Sequence, residues 1–392
     1  MQLEHFIPTR VLFGAGKLDE LANIKLPGKK ALIVISNGKS MRVNGYLERV
    51  INLLKKNNVD SVLFDKILPN PIRSHVMEGA ALAKQEGCDF VIGLGGGSSL
   101  DSSKSIAIMV NNPGDYWDYI GGGSGKGKPV TEKVLPIVAI TTTAGTGSEA
   151  DPWTVITHED RNEKIGFGIP DTFPVLSIVD PELMVTVPPA LTAYQGFDAF
   201  FHAAEGVIAN IATPVSDIYA LKSIELLNTF LPTAVKDGKN LEARTNVALA
   251  NTLSGFVEST SGCTSEHSLE HAMSAFHPNL EHGAGLIILS VAYFSFFAKH
   301  APERLALMAK AMGKNIDGLF VDQQAQLFIQ ALKELQKSCS VDNLKMSDYG
   351  IKESEFDALA KNAFETMGGL FNLDRYKLSH DDVVAIYKDS YR

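Results

Sequence analysis

Hydrophobic positions fall into two textures along the chain. In the first half, short continuous apolar runs alternate with stretches whose apolar residues recur every three or four positions. Residues 31–36 (ALIVIS), 59–64, 89–94, 134–141 and 175–179 read as strands, and 45–57 and 75–86 as helices. Continuous apolar strands separated by helices predict a parallel sheet covered on both faces. From Pro188-Pro189 onward helical spacing dominates, in 190–209, 215–231, 241–255, 283–299, 302–312, 317–337, 352–363 and 379–387. The pattern predicts an α/β domain over residues 1–187 and an all-α domain over 188–392.

Composition changes this picture little. The 392 residues are 45% hydrophobic and 21% charged, which excludes collagen-like and disordered chains. A chain this long buries enough surface that no metal is needed to hold it folded, so a metal here would serve chemistry. Thirty-six basic against 45 acidic residues give a net charge of −9. No basic block interleaved with aromatics occurs, so no nucleic-acid partner is expected. The three cysteines, Cys88, Cys263 and Cys339, form no CxxC pair, which fits a reducing compartment. The opening residues lack a basic-then-apolar signal pattern, and no apolar run of about 18 residues could span a bilayer. A soluble, cytoplasmic protein without a membrane partner is the expectation.

Two glycine-rich segments follow apolar strands. Gly95-Gly96-Gly97-Ser98 leads into LDSSK, and TTTAGTGSE occupies 141–149. Glycines at a strand-to-helix turn let backbone N–H groups and the helix dipole approach a phosphate. The spacing is neither G-x-G-x-x-G nor that of a P-loop, and a plain tight turn is the alternative. Two such turns at the carboxyl ends of strands would form the walls of a nucleotide crevice.

Histidines concentrate in the helical half. Asp198 and His202 stand four apart, as do His267 and His271, so each pair shares a helix face. His277 and the His282-Gly283 pair follow. One carboxylate with several imidazoles suits Fe(II) or Zn(II) rather than Ca(II) or Mg(II). His5, His75, His158 and His300 are isolated.

Together these motifs resemble the iron-containing alcohol dehydrogenase family over almost the whole chain. The resemblance is carried in order by Phe13-Gly14-Ala15-Gly16, Pro69-Asn70-Pro71, GGGSSLDSSK, TTTAGTGSEAD, Val179-Asp180-Pro181-Glu182-Leu183, GFDAFFHAAEG and the histidine-rich segment. It implies a dinucleotide-binding α/β domain and a helical metal-binding domain of the dehydroquinate synthase-like fold, with catalysis in a cleft between them. The implied ligands are Asp198, His202, His267 and His282, holding Fe(II) with Zn(II) as the alternative. The interval from His267 to His282 is one residue longer than the family's, which leaves His277 as a competing ligand. His271 corresponds to a proton shuttle. Gly96, Gly97 and Ser98 correspond to diphosphate contacts. Asn70, Asp101, Thr142, Thr143, Lys164 and Leu183 correspond to positions near the ribose and nicotinamide.

After residue 36 the chain reads Asn37-Gly38-Lys39-Ser40-Met41-Arg42, without the carboxylate of NAD-preferring members. Asn37, Gly38 and Ser40 beside a basic side chain can accept a 2′-phosphate, so NADP(H) is favoured over NAD(H), as in the family's NADPH-dependent butanol dehydrogenase and aldehyde reductase branch. The implied reaction is reversible hydride transfer between a primary alcohol or aldehyde and NAD(P), by a homodimer. The competing readings are a same-fold lyase or glycerol dehydrogenase-like enzyme, and a non-catalytic metal- and nucleotide-binding protein.

Overall fold

In the computed structural model, residues 5–392 are described, and their backbone contacts divide into two units, Ile7–Thr186 and a second comprising Val187–Arg392 with His5 and Phe6. Residues 1–4 of the opening segment lie outside the description.

The first unit carries β1 (Arg10–Phe13), β2 (Lys30–Ser36), β3 (Asp60–Ile67), β4 (Phe90–Gly95), β5 (Ile137–Thr141), β6 (Thr154–His158), β7 (Glu163–Phe167) and β8 (Leu176–Val179). Its helices are α1 (Ser40–Val43), α2 (Tyr46–Lys56), α3 (Arg73–Glu86) and α4 (Gly97–Met109). Six strands form one sheet in the order β1-β8-β5-β4-β2-β3, and every pairing is parallel. The runs are apolar throughout because both faces are covered. On one face Ile33, Ile35, Ile92, Leu94, Ile140 and Ile178 pack against Val50, Leu53 and Leu54 of α2. The helix α4 lies against β4 and β5.

Winding reverses between β2 and β4: β3 lies outside β2, while β4, β5 and β8 extend the sheet the other way. In such sheets ligands bind outside the carboxyl ends of the strands at this switch point.

Two features escape the apolar pattern. Four-residue β1 is too short to read alone. It is held by pairing with β8 and by the Asp180 carboxylate, which accepts N–H groups of Gly16 (3.2 Å) and Leu18 (3.0 Å). Asp180 thus ties the FGAG segment to the VDPEL segment. The second is the antiparallel β6–β7 hairpin, fastened by the Thr157 N–H to the Pro71 carbonyl (2.8 Å). Within the six-stranded sheet, β5 starts at Ile137 rather than 134, after Pro136, which has no N–H to offer a ladder.

The second unit is all helical: α5 (Pro189–Ile208), α6 (Pro214–Lys236), α7 (Leu241–Thr260), α8 (Ser265–Phe276), α9 (His282–Phe297), α10 (Pro302–Ala311), α11 (Val321–Ser338), α12 (Phe356–Phe371) and α13 (His380–Ser390). At its centre α5 is buried all round from Gly196 to Ile208 and packs against α6, α7 and α9. Phe200 stacks on Phe328 and Phe201 on Phe294. The helix α6 continues five residues past Leu231, through Pro232. Among the described residues no helix is long and apolar enough to cross a membrane.

Candidate active site

In the first unit β4 runs straight into α4, and Gly96 caps that helix in an extended conformation. The first N–H groups of a helix precede any intrahelical acceptor, which leaves those of Gly97 and Ser98 for a ligand. No side chain fits here. A Cβ on Gly96 would stand 2.9 Å from Thr143 Oγ1, and one on Gly97 2.4 Å from Thr146 Cγ2. The two glycine-rich segments are therefore in contact, with backbone facing outward. The Thr142 N–H donates to the Gly95 carbonyl (2.9 Å), and the Ser98 hydroxyl donates to the Pro69 carbonyl. Half-buried Asn70 and the start of α4 are thereby brought to one edge of the sheet, where Thr143 is also half-buried. Asn37, Gly38 and Ser40 are exposed just beyond β2, across the switch point. Buried Lys164 lies opposite Thr157 in the hairpin, and buried Leu183 follows β8.

The charged residues of the glycine-rich motif point into the protein. Asp101 Oδ1 accepts the Ser148 hydroxyl (2.7 Å) and Oδ2 the Val155 N–H (2.9 Å). Burial pushes its carboxyl up to about 6, against the opposing pull of Lys104. Lys104 is wholly buried, and its three N–H groups are shared among Ser148 Oγ (2.8 Å), Asp151 Oδ1 (3.0 Å), the Asp151 carbonyl (3.0 Å) and the Trp153 carbonyl (2.7 Å). Asp101 and Lys104 thus lock the segment that carries the second glycine-rich turn.

In the second unit, Asp198, His202 and Glu205 fall on one stripe of α5 at intervals of four and three residues. His267 and His271 come from α8, and His282 is the first residue of α9. The start of α9 comes close enough only because residue 283 is glycine: a Cβ there would lie 2.1 Å from the Tyr194 carbonyl oxygen of α5.

Around Asp198 Oδ1 stand His202 Nε2 at 3.5 Å, His267 Nε2 at 3.7 Å and His282 Nε2 at 3.5 Å. These separations exceed a hydrogen bond. They match ligand-to-ligand distances of about 3.4 Å around a tetrahedral ion with bonds of about 2.1 Å. Asp198 Oδ1 and His267 Nε2 are buried without a hydrogen-bond partner. Such orphaned atoms are costly unless something cationic sits between them. The donor set therefore fits a divalent metal. Burial would raise the Asp198 carboxyl, but the imidazoles, His202 and His282 foremost, hold it down at about 2.

Behind each of the three imidazoles stands a carboxylate. Glu205 meets His267 Nδ1, Glu270 meets His282 Nδ1, and Glu258 lies 3.4 Å from His202 Nδ1. Burial would lower the His267 pKa, but Glu205 raises it well above the usual imidazole range. The three glutamates are absent from the expected site, although Glu205 shares the helical stripe of Asp198 and His202 and so left a signal in the spacing.

His271 is 3% exposed, with its ring 5.2 Å from that of His282 and 6.2 Å from that of His267. His277 points elsewhere, its Nε2 lying 3.2 Å from Glu355 Oε1. Of the two histidines that compete in sequence, only His282 reaches Asp198.

Comparison with known proteins identifies the family. Residues 8–181 match the family model for iron-containing alcohol dehydrogenase, and residues 192–391 that for the C-terminal domain of the Fe-containing alcohol dehydrogenase family. The chain is 36% identical to the NAD-dependent methanol dehydrogenase of Bacillus methanolicus, covering 92% of this chain and 93% of that one. It is 32% identical to the 1,3-propanediol dehydrogenase of Klebsiella pneumoniae, covering 99% and 98%. The crystal structure of the archaeal halo-thermophilic Red Sea brine pool alcohol dehydrogenase ADH/D1 superimposes with a TM-score of 0.95 at 34% identity, covering 100% of this chain and 99% of that one. With a parallel α/β sheet, a buried carboxylate–imidazole cluster and matches over nearly its full length, the chain belongs to the iron-containing alcohol dehydrogenase family.

Proposed function

We propose that Asp198, His202, His267 and His282 hold one Fe(II), or Zn(II) in its place, and that the chain uses NADP(H) in preference to NAD(H) on primary alcohols and aldehydes. The coarser activity follows from its family: it is a metal-dependent alcohol dehydrogenase/aldehyde reductase. The observation that carries the ligand assignment is the meeting of three Nε2 atoms on Asp198 Oδ1, with two of these buried atoms unpartnered. When bound, the metal supplies the positive charge that lowers an alcohol's pKa and, in reverse, polarises an aldehyde carbonyl. A nicotinamide bound in the α/β unit would supply the hydride acceptor or donor.

The protein's own groups do the rest. Glu205 and Glu270 accept the Nδ1 protons of His267 and His282, which fixes those tautomers and aims their Nε2 lone pairs at the metal position, while the Glu258 carboxylate stands 3.4 Å behind His202 Nδ1. His271, beside His282, carries the proton between substrate hydroxyl and solvent. Gly96, Gly97 and Ser98 offer backbone N–H groups to the diphosphate. Asn70, Thr142, Thr143, Lys164 and Leu183 flank the ribose and nicotinamide. Asp101 belongs to the same region but acts through the loop it anchors, since both its oxygens are taken by protein donors.

The preference for NADP(H) rests on the end of β2. Asn37, Gly38 and Ser40 present no carboxylate, and Lys39 is exposed. The carboxylate of Asp65 is paired with Arg42. A homodimer in the cytoplasm completes the proposal. Symmetric dimers are the commonest oligomers, and the unpaired state of Cys88, Cys263 and Cys339 fits a reducing compartment.

The test is an anaerobic preparation assayed with butanal and either NADPH or NADH, before and after chelation, with Fe(II) or Zn(II) returned. Oxidation of NADPH faster than NADH, stopped by the chelator and restored by one metal, is the expected result. Turnover that survives complete metal removal would overturn the ligand assignment, and faster use of NADH would overturn the cofactor preference.

A further inference from the structure

Behind Glu205 the helical unit buries a line of polar groups that the chemistry above does not use. Glu205 Oε2 accepts the Thr264 N–H (2.7 Å) and the Thr264 hydroxyl (3.0 Å). The Tyr293 hydroxyl lies 2.8 Å from Thr264 Oγ1, 3.1 Å from Ser265 Oγ and 3.3 Å from Asp374 Oδ1. Asp374 Oδ1 also accepts the Ser265 N–H (3.3 Å), while its Oδ2 is buried without a partner. Tyr293 is wholly buried and Asp374 only 7% exposed.

Counting protons orders this line. A threonine or tyrosine hydroxyl has one proton to donate. Thr264 gives its proton to Glu205, so its oxygen accepts from Tyr293, the nearer of that phenol's possible bonds. The phenol proton is then used, and Tyr293 meets Asp374 Oδ1 as an acceptor. An ionised carboxylate there would set Oδ1 against the Tyr293 oxygen, offset only by the Ser265 N–H, and leave a charged Oδ2 buried without a donor, both costly in a low-dielectric interior. A carboxylic acid removes both conflicts by donating to Tyr293.

We propose that Asp374 is a neutral carboxylic acid in the folded protein, the terminal donor of a chain Asp374–Tyr293–Thr264 that ends on Glu205 and positions it against the His267 ring. Its effect on metal affinity rests on the reading of His267 as a ligand; its protonation does not. The titratable groups facing Asp374 agree. Burial raises its carboxyl to about 7, the Ser265 and Tyr293 hydrogen bonds oppose this, and the negative charge of Glu205 adds to the rise. Asp374 touches no candidate metal ligand, so it is a positioning residue.

The experiment pairs two readouts on the full-length protein. Infrared spectra of metal-free protein about one pH unit below neutrality are compared for wild type and Asp374→Asn, and Co(II) affinity is measured by chelator competition for wild type, Asp374→Asn, Asp374→Ala and Tyr293→Phe. A protonated-carboxyl stretch present in wild type and missing in Asp374→Asn is expected. An asparagine amide can donate to Tyr293 as the acid does, so that variant should keep Co(II) affinity within about twofold. Asp374→Ala and Tyr293→Phe should each weaken it about tenfold, as loss of groups that orient a ligand does. No carboxyl band lost in Asp374→Asn, or an Asp374→Asn affinity as weak as that of Asp374→Ala, overturns the proposal. Wild type that fails to bind Co(II) overturns the ligand reading instead, and the infrared band alone then decides the state of Asp374.

Discussion

In the nucleotide-binding unit the charged side chains of the glycine-rich motif turn inward: Lys104 is enclosed by Ser148, Asp151 and the Trp153 carbonyl, and both oxygens of Asp101 are occupied. On the proposed reading, a dinucleotide would meet backbone there. In the helical unit the opposite holds, for Asp198 Oδ1 and His267 Nε2 are buried with no partner, while the supporting carboxylates stand behind the rings. A phosphate is recognised by N–H groups that any residue supplies, so the motif's side chains are free to build the scaffold. A metal needs side-chain lone pairs, so the scaffold must leave them unused. A polar residue within a binding motif is thus a contact in one unit and an anchor in the other.

Four substitutions would break or sharpen this contrast. The largest effect is expected from His267→Ala, which should abolish metal content and turnover together while the protein still binds the dinucleotide; metal analysis and an activity assay check it. Next comes Lys104→Met, which leaves Asp151 and Asp101 buried without their cation. It should lower stability by about 3–5 kcal/mol in denaturant unfolding without weakening metal binding in the folded fraction. A metal-binding defect of its own would show that the anchor role is misread. Glu205→Gln keeps the volume but removes the charge behind His267, and should weaken metal affinity by about 10–100-fold in chelator competition. The smallest effect is expected from His277→Ala. That side chain faces Glu355, so kcat and metal content should stay within about twofold of wild type; a loss like that of His267→Ala would return His277 to the ligand set.

Much of the architecture is legible along the chain because it is local. Apolar runs at strand length and apolar stripes at helical spacing mark both layers and the change of texture near Pro188-Pro189. Asp198 and His202 need only one helix to face the same way. The failures share one cause, dependence on distant partners. The strand β1 is defined by β8, some 165 residues away, and α6 runs through Pro232 although proline removes an N–H and usually ends a helix. The three glutamates behind the imidazoles come from α5, α7 and α8, and no single spacing relates them to the rings they support.

The sequence by itself determined the element types, the glycine turn at the end of β4 and the supply of one carboxylate with several imidazoles, since each depends on neighbours within a few residues. Only the tertiary structure decided which imidazoles meet. His277 and His282 lie five residues apart, and the sequence favours His282 only through its resemblance and its following glycine; in the structure Gly283 lets the start of α9 press against the Tyr194 carbonyl of α5, bringing His282 to 3.5 Å from Asp198 Oδ1. The same packing decided that Asp101 and Lys104 serve the fold, because burial leaves a charge no option but a protein partner.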